Sequence, residues 1–253
     1  MNPSDDVIEV RNLVYHVGGR AILDGISFTV CRGCIFGVMG MSGTGKSTLL
    51  KCLMGLLRAE SGEILIDGAP VIGVSEQELA HVRSKMGMCF QYAALFDSLT
   101  VSQNVAFGLQ HHSKLPAEEI DRRVAEALAH VRLHDIDDLM PAQLSGGMRK
   151  RVGIARALVI DPMIMLYDEP SAGLDPITAA VLDDLILSLA REHGMTCVIV
   201  THEVHELFSL CDTVMMLHEG RIVALDTPDR LKRSPDPVVE QFVEGRPVGP
   251  ITV

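Results

Sequence analysis

The run Gly40-Met41-Ser42-Gly43-Thr44-Gly45-Lys46-Ser47 constrains this chain more than any other stretch. It follows a continuous apolar run, Ile35-Phe36-Gly37-Val38-Met39, and opens onto Thr48-Leu49-Leu50, so it reads as strand, glycine-rich loop and helix start. Glycines let the backbone curl so that successive N–H groups converge on phosphate oxygens, and the helix N-terminus adds the positive end of its dipole. Gly40, Ser42, Gly43, Thr44, Gly45, Lys46, Ser47 and Thr48 are therefore the candidate phosphate-binding residues. Lys46 is expected to reach the β- and γ-phosphates of a nucleoside triphosphate, and the Ser47 hydroxyl to bind Mg²⁺. A glycine turn arising by chance would not bring the strand, the lysine and the serine together.

The rest of the chain fits an α/β fold. Met163-Ile164-Met165-Leu166-Tyr167 and Cys197-Val198-Ile199-Val200 are continuous apolar runs like Ile35–Met39, as strands covered on both faces are, which predicts a parallel sheet flanked by helices. Ile26, Phe28 and Val30 alternate with Ser27 and Thr29, predicting a half-buried antiparallel strand. Val214 to Leu217 and Ile222 to Leu225 bracket His218-Glu219-Gly220-Arg221, a hairpin signal. Between Gln91 and Ile160 the pattern turns helical; Ile120, Val124, Leu128 and Val131 fall at spacings of three and four. This segment reads as a helical lobe inserted into the α/β core. At 253 residues, 47% of them hydrophobic, the chain can bury such a core.

Met163 to Tyr167 ends in Asp168-Glu169, paired carboxylates at a strand's C-terminal end, where open α/β sheets place their ligands. Asp168 is expected in the Mg²⁺ shell and Glu169 as the general base or the group orienting the attacking water. The combination predicts hydrolysis of ATP or GTP.

Composition excludes several classes. Lys plus Arg total 22 against 33 Asp plus Glu, a net charge of −11, which argues against a nucleic-acid partner. No apolar stretch approaches the roughly 20 residues of a membrane helix, and Met1-Asn2-Pro3-Ser4-Asp5-Asp6 lacks the basic-then-apolar pattern of a leader. The expectation is a cytosolic protein that meets a membrane only through a partner. Cys31, Cys34, Cys52, Cys89, Cys197 and Cys211 are scattered, as free thiols of a reducing compartment would be. Cys31-Arg32-Gly33-Cys34 stands alone as a CxxC and reads as a turn between two strands, with metal or redox chemistry the alternative. His202-Glu203-Val204-His205 is one residue short of the HExxH zinc helix. His111-His112 reads as a solvated loop.

Leu144-Ser145-Gly146-Gly147-Met148 precedes a basic helix, Arg149 to Leu158, and lies between the phosphate loop and the Asp168-Glu169 strand. This resembles the signature motif of ABC transporter ATPases, with Met148 where Gln is usual. The family's other stations follow in order over residues 7 to 230. Gln91 matches the Q-loop glutamine that reports on Mg²⁺ and the attacking water, and Ser171-Ala172-Gly173-Leu174-Asp175 matches the D-loop. His202 matches the switch histidine that contacts γ-phosphate, and Tyr15 the aromatic that stacks on adenine. The resemblance implies an ABC-ATPase fold: a RecA-like parallel core with an antiparallel β subdomain and an inserted helical subdomain. On this chain that places the ATPase domain at 1–233, its helical subdomain at about 92–159, and a tail at 234–253 with a possible dimer contact. It also implies ATP and Mg²⁺ as cofactors and a head-to-tail homodimer. Ser145, Gly146 and Gly147 of one copy then hold the ATP bound by the other. Residues Tyr92 to Val105 would touch a transmembrane permease subunit.

Three details look like the ATPases of MCE-type lipid transporters, the Mla phospholipid system among them. They are Met148-Arg149-Lys150-Arg151-Val152, Asp175-Pro176-Ile177-Thr178, and the tail from Asp236 to Gly245 closing with Gly249-Pro250. The implied function is ATP-driven lipid transport across the cell envelope, from the cytoplasmic face of the inner membrane. An MCE-domain lipid-binding protein and a small accessory subunit are the further partners implied. The alternative is an importer of another small solute. The chain carries one cassette and no long coiled coil, unlike the soluble translation and chromosome ATPases built on the same motifs.

Overall fold

The computed structural model describes residues 5–252, the side chain of His112 excepted. Met1 to Ser4, on which most of the leader-region reading falls, lie outside the described residues. The chain forms two compact units, one running to Arg83 and resuming at Thr196, the other spanning Ser84–Met195.

In the first unit, β1 (Asp6–Val17) and β2 (Arg20–Cys31) pair antiparallel. Their two-residue turn, Gly18-Gly19, takes positive φ at both positions, the twist that suits a tight hairpin. Ile26, Phe28 and Val30 are buried while Ser27 and Thr29 are exposed, as the alternation predicts. β3 (Ile35–Met39), buried along its whole length, feeds through the glycine loop into α1 (Lys46–Leu53). β4 (Ser61–Ile66) pairs with β1 and β5 (Ala69–Pro70) with β4, giving an antiparallel sheet in the order β2-β1-β4-β5. α2 (Glu76–Arg83) closes this stretch.

Between β2 and β3 the Cys34 N–H donates to the Cys31 carbonyl at 3.2 Å, which makes the expected turn. The turn holds the two Cα atoms 5.5 Å apart and the sulfurs are joined as a disulfide. That corrects the expectation of six free thiols. Spacing along a sequence does not report how Cβ vectors converge, and a disulfide depends on that convergence. Cys52, Cys89, Cys197 and Cys211 are free and buried. Burial pushes the Cys52 thiol up to about 11 and the Cys89 thiol up to about 12, so neither forms a thiolate near neutrality.

In the second unit, β6 (Met86–Cys89) is followed by α3 (Val101–His112) and α4 (Ala117–His130). A 3₁₀ turn (Pro141–Gln143) and α5 (Gly146–Leu158) come next, then β7 (Ile164–Asp168) and α6 (Pro176–His193). β6 and β7 pair in parallel and both are wholly buried. No strand lies between them among the described residues. α4 buries Ile120, Val124 and Leu128, the periodic face read from the sequence. α3 begins with a capping box between Thr100 and Gln103, and it corrects the reading of His111-His112 as a loop. Both residues lie in its last turn, where the His111 ring stacks on Phe107. Polar residues at a helix end look like loop residues in sequence.

Back in the first unit, β8 (Thr196–Val200) is followed by α7 (Val204–Leu210), β9 (Thr213–His218) and β10 (Arg221–Asp226). β3 lies between β8 and β9 and runs parallel to both, while β9 and β10 form the expected hairpin. α8 (Pro228–Leu231) and α9 (Pro237–Glu244) end the helices. Asp236 caps α9 by accepting from the Val238 and Val239 N–H groups, and Gly245 ends it in the left-handed conformation. The side chain of Gln241 then binds both main-chain groups of Ile251: its Oε1 accepts from the Ile251 N–H at 2.7 Å and its Nε2 donates to the carbonyl at 3.1 Å. Ile251 is 6% exposed, so the segment after α9, which carries Pro247 and Pro250, is folded back onto that helix.

Candidate functional site

The phosphate loop belongs to the first unit. Gly40 has φ 153° and Gly45 φ 99°, both in the region that disfavours side chains. A Cβ on Gly40 would run into the Leu217 carbonyl oxygen, and one on Gly45 would stand 2.7 Å from that of Ile22, so sterics as well as φ select glycine. The Thr44 hydroxyl donates to the Met41 carbonyl at 2.8 Å, which folds the loop across its own top. Lys46 is 6% exposed, and its ammonium donates to the carbonyls of Gly40 at 2.7 Å and Met41 at 3.1 Å. The charge is thereby held inside the loop's curve. Gly45 caps α1 with no side-chain hydrogen bond and no acidic residue sits in the helix's first turn, an N-terminus suited to an anion. Ser42 and Gly43 are exposed; Ser47 and Thr48 are half-buried.

The same unit carries Tyr15, half-buried in β1 and paired with Leu23 of β2. His202 is exposed just past the C-terminal end of β8, with Nε2 3.4 Å from the Glu203 carboxylate. His202 lies outside α7 and His205 inside it, so the two do not share a helical face. Among the described residues, no group of three His, Cys, Asp or Glu side chains is placed to hold a metal.

The second unit carries the remaining candidates. Asp168, 7% exposed, ends β7, and Glu169 follows with φ 49° in the left-handed region. Gln91 stands just past the end of β6, ahead of Ala93 (φ 58°) and Ala94 (φ 49°). Ser145 caps α5, accepting from the Met148 N–H at 3.2 Å. Gly147 packs where a Cβ would meet Thr178 Cγ2 at 2.6 Å, so α5 and α6 meet at a residue without a side chain. Asp175 caps α6 by accepting from the Ile177 and Thr178 N–H groups and the Thr178 hydroxyl. Those bonds, led by the Thr178 hydroxyl, lower its carboxyl below the ordinary value. Ser145, Gly147, Arg151, Thr178 and the exposed Ile177 line a cavity of about 200 Å³ beside the cap of α5.

The basic side chains of α5 bind main-chain carbonyls, with Arg149 exposed and Lys150, Arg151 and Arg156 half-buried. Arg149 donates to the Leu144 carbonyl at 2.5 Å, Arg151 to those of Val131 and Arg132 at 3.5 and 3.3 Å. Lys150 donates to the carbonyls of Gln91 at 2.5 Å and Glu169 at 3.2 Å. Arg156 donates to those of Ala93 at 2.7 Å and Ala94 at 2.6 Å. No sequence pattern signals such bonds, because their acceptors are main-chain atoms and any residue type supplies one.

Comparison with known proteins decides the family. The family model described as "ABC transporter" matches residues 23–172. Over 246 residues the chain is 42% identical to the "Intermembrane phospholipid transport system ATP-binding protein MlaF" of Escherichia coli, covering 97% of this chain and 91% of that one. The chain belongs to the ABC transporter family. It is an ABC ATPase, binding and hydrolysing ATP, and its fold is that of an ATP-binding cassette. It is also 43% identical over 244 residues to the "Probable ribonucleotide transport ATP-binding protein mkl" of Mycobacterium tuberculosis, covering 96% of this chain and 68% of that one. Among solved structures it resembles a dimeric ATP-binding cassette in a post-hydrolysis state bound to ADP and Pi. That likeness has a TM-score of 0.80 and 30% identity over 87% of this chain and 98% of the other. Among the described residues of this ABC ATPase no helix is long and apolar enough to cross a membrane.

Proposed function

We propose that this ABC ATPase powers MCE/Mla-type phospholipid transport across the cell envelope. The observation that carries the reading is the 42% identity to a phospholipid-transport ATPase along 97% of the chain. Its signature helix, Met148-Arg149-Lys150-Arg151, and its tail from Asp236 to Gly245 add to it. In this reading the ATPase domain is 1–233, with a helical subdomain at about 92–159. It works on the cytoplasmic face of the inner membrane, bound to permease subunits through Tyr92 to Val105. An MCE-domain protein and a small accessory subunit complete the assembly.

The proposed chemistry assigns each side chain a role. Lys46 and the loop N–H groups neutralise the β- and γ-phosphates. Tyr15 stacks on adenine, Glu169 takes the proton of the attacking water, and His202 holds the γ-phosphate. Ser47, Gln91 and Asp168 present a hydroxyl, an amide oxygen and a carboxylate, an all-oxygen donor set that fits a hard cation. When bound there, Mg²⁺ would neutralise charge on the phosphates. Ser145, Gly146 and Gly147 cap the γ-phosphate bound by a second copy, so the working unit is a homodimer.

The deciding experiment is purification of the complex from native membranes with mass spectrometry of its bound lipids. Phospholipid enriched over the bilayer background, with ATPase activity stimulated by that lipid, is expected. A second reading, import of another small solute, draws on the likeness to mkl, whose name specifies ribonucleotide transport. Stimulation by a soluble solute and no lipid enrichment would favour that reading instead.

The tail is proposed to contact the second copy. Truncation after Arg233 is expected to weaken ATP-dependent dimerisation by about tenfold, an effect on the scale of losing one well-packed apolar contact. Analytical ultracentrifugation checks it. An unchanged monomer–dimer constant would leave the tail as a cap on its own unit.

A further inference from the structure

We propose that Lys150 is a positioning residue for hydrolysis, tying the main chain at Gln91 to the main chain at Glu169. The proposal rests on the roles given above to those two residues.

Lys150 sits one turn into α5, and its ammonium donates to the Gln91 carbonyl at 2.5 Å and the Glu169 carbonyl at 3.2 Å. These acceptors lie 59 and 19 residues away along the chain. Two of the three donors of one ammonium therefore bridge two segments that carry candidate chemistry. Both segments are conformationally costly. Glu169 has φ 49°, and Ala93 and Ala94, just beyond Gln91, have φ 58° and 49°, though none is glycine. Such conformations persist only where the surroundings over-determine them.

Arg156, farther along α5, accounts for one segment alone: its guanidinium holds the carbonyls of Ala93 and Ala94. The Ala172 N–H also reaches the Glu169 carbonyl, at 3.2 Å, but comes from the same turn. Lys150 joins the two. Its Nζ holds the peptide plane after Glu169, and the direction of that plane sets where the Glu169 carboxylate can point. A shift of the Gln91 main chain is passed through the same ammonium. Lys150 touches neither phosphate nor water in this scheme and acts on the barrier through Glu169.

The test uses the assembled transporter and compares Lys150→Met, Lys150→Gln and Lys150→Arg, with Glu169→Gln in parallel. Lys150→Met keeps the length of the stem and removes the donor; Lys150→Gln keeps a polar tip without the reach to both carbonyls. Each is expected to lower kcat about tenfold, as loss of a charge-assisted bond does, with KM for ATP within about twofold. Lys150→Arg, which retains charge and reach, is expected to recover most of kcat. A merely structural lysine would move melting temperature and KM together and would leave no such split. Normal kcat in both Lys150→Met and Lys150→Gln, with Glu169→Gln inactive, overturns the Lys150 proposal alone. Normal turnover in Glu169→Gln overturns it together with the base assignment beneath it.

Discussion

Replacing Glu169 by glutamine is expected to lower ATP turnover in the assembled transporter by about 100- to 10,000-fold, the range over which a positioned general base acts. ATP affinity is expected to stay within about twofold, because the proposed phosphate contacts belong to other residues. The substitution is well posed on this chain. Glutamine has the shape of glutamate and bears the φ of 49° at this position no worse, so the loss reports on the carboxylate and not on the backbone. It also leaves the Glu169 carbonyl where Lys150 and Ala172 can still reach it. Stopped turnover with ATP retained should accumulate a closed dimer, visible by size-exclusion chromatography with nucleotide. Near-normal hydrolysis would remove Glu169 from the chemistry.

Replacing Lys46 by alanine is expected to weaken ATP binding by about 100-fold, the consequence of losing a charge-assisted hydrogen bond to phosphate. A labelled-nucleotide titration measures it. The structure adds a second effect to be separated from the first. The Lys46 ammonium donates to the carbonyls of Gly40 and Met41, and its side chain is buried, so alanine leaves two loop carbonyls without that donor. Such a loss costs about 1–3 kcal/mol where the group stays away from water. A melting curve without nucleotide records this term by itself. Unchanged affinity in the titration would sink the assignment of Lys46 to phosphate.

What the sequence disclosed follows from what is local. Ile35–Met39, the glycine loop and Lys46 onward announce strand, turn and helix because each carries its own periodicity or its own φ requirement. The paired Asp168-Glu169 is legible in the same way, as a break in polarity at a strand's end. The register of β1 against β4 is not, although Arg11 faces Glu63 there. Pairing across so many residues is set by packing on a shared face and leaves no local trace. The Cys31–Cys34 bond, the helical ending at His111 and the clamp of Gln241 on Ile251 were hidden for a related reason. Each depends on the direction of a side chain or a peptide in space, which spacing does not encode.

The carbonyl-bound cations of α5 have a consequence for what this cassette demands of its sequence. A lysine or arginine that binds a carboxylate demands a particular residue opposite, and losing either partner breaks the pair. Lys150 and Arg156 bind carbonyl oxygens, which every amino acid provides. The grip of Arg156 is therefore blind to the side chains at Ala93 and Ala94, and that of Lys150 to those at Gln91 and Glu169. Side-chain choice at Ala93 and Ala94 is bounded instead by the positive φ at both positions and, at Ala93, by burial beside Gly153, so the helix fixes the peptide planes and local packing fixes the residues.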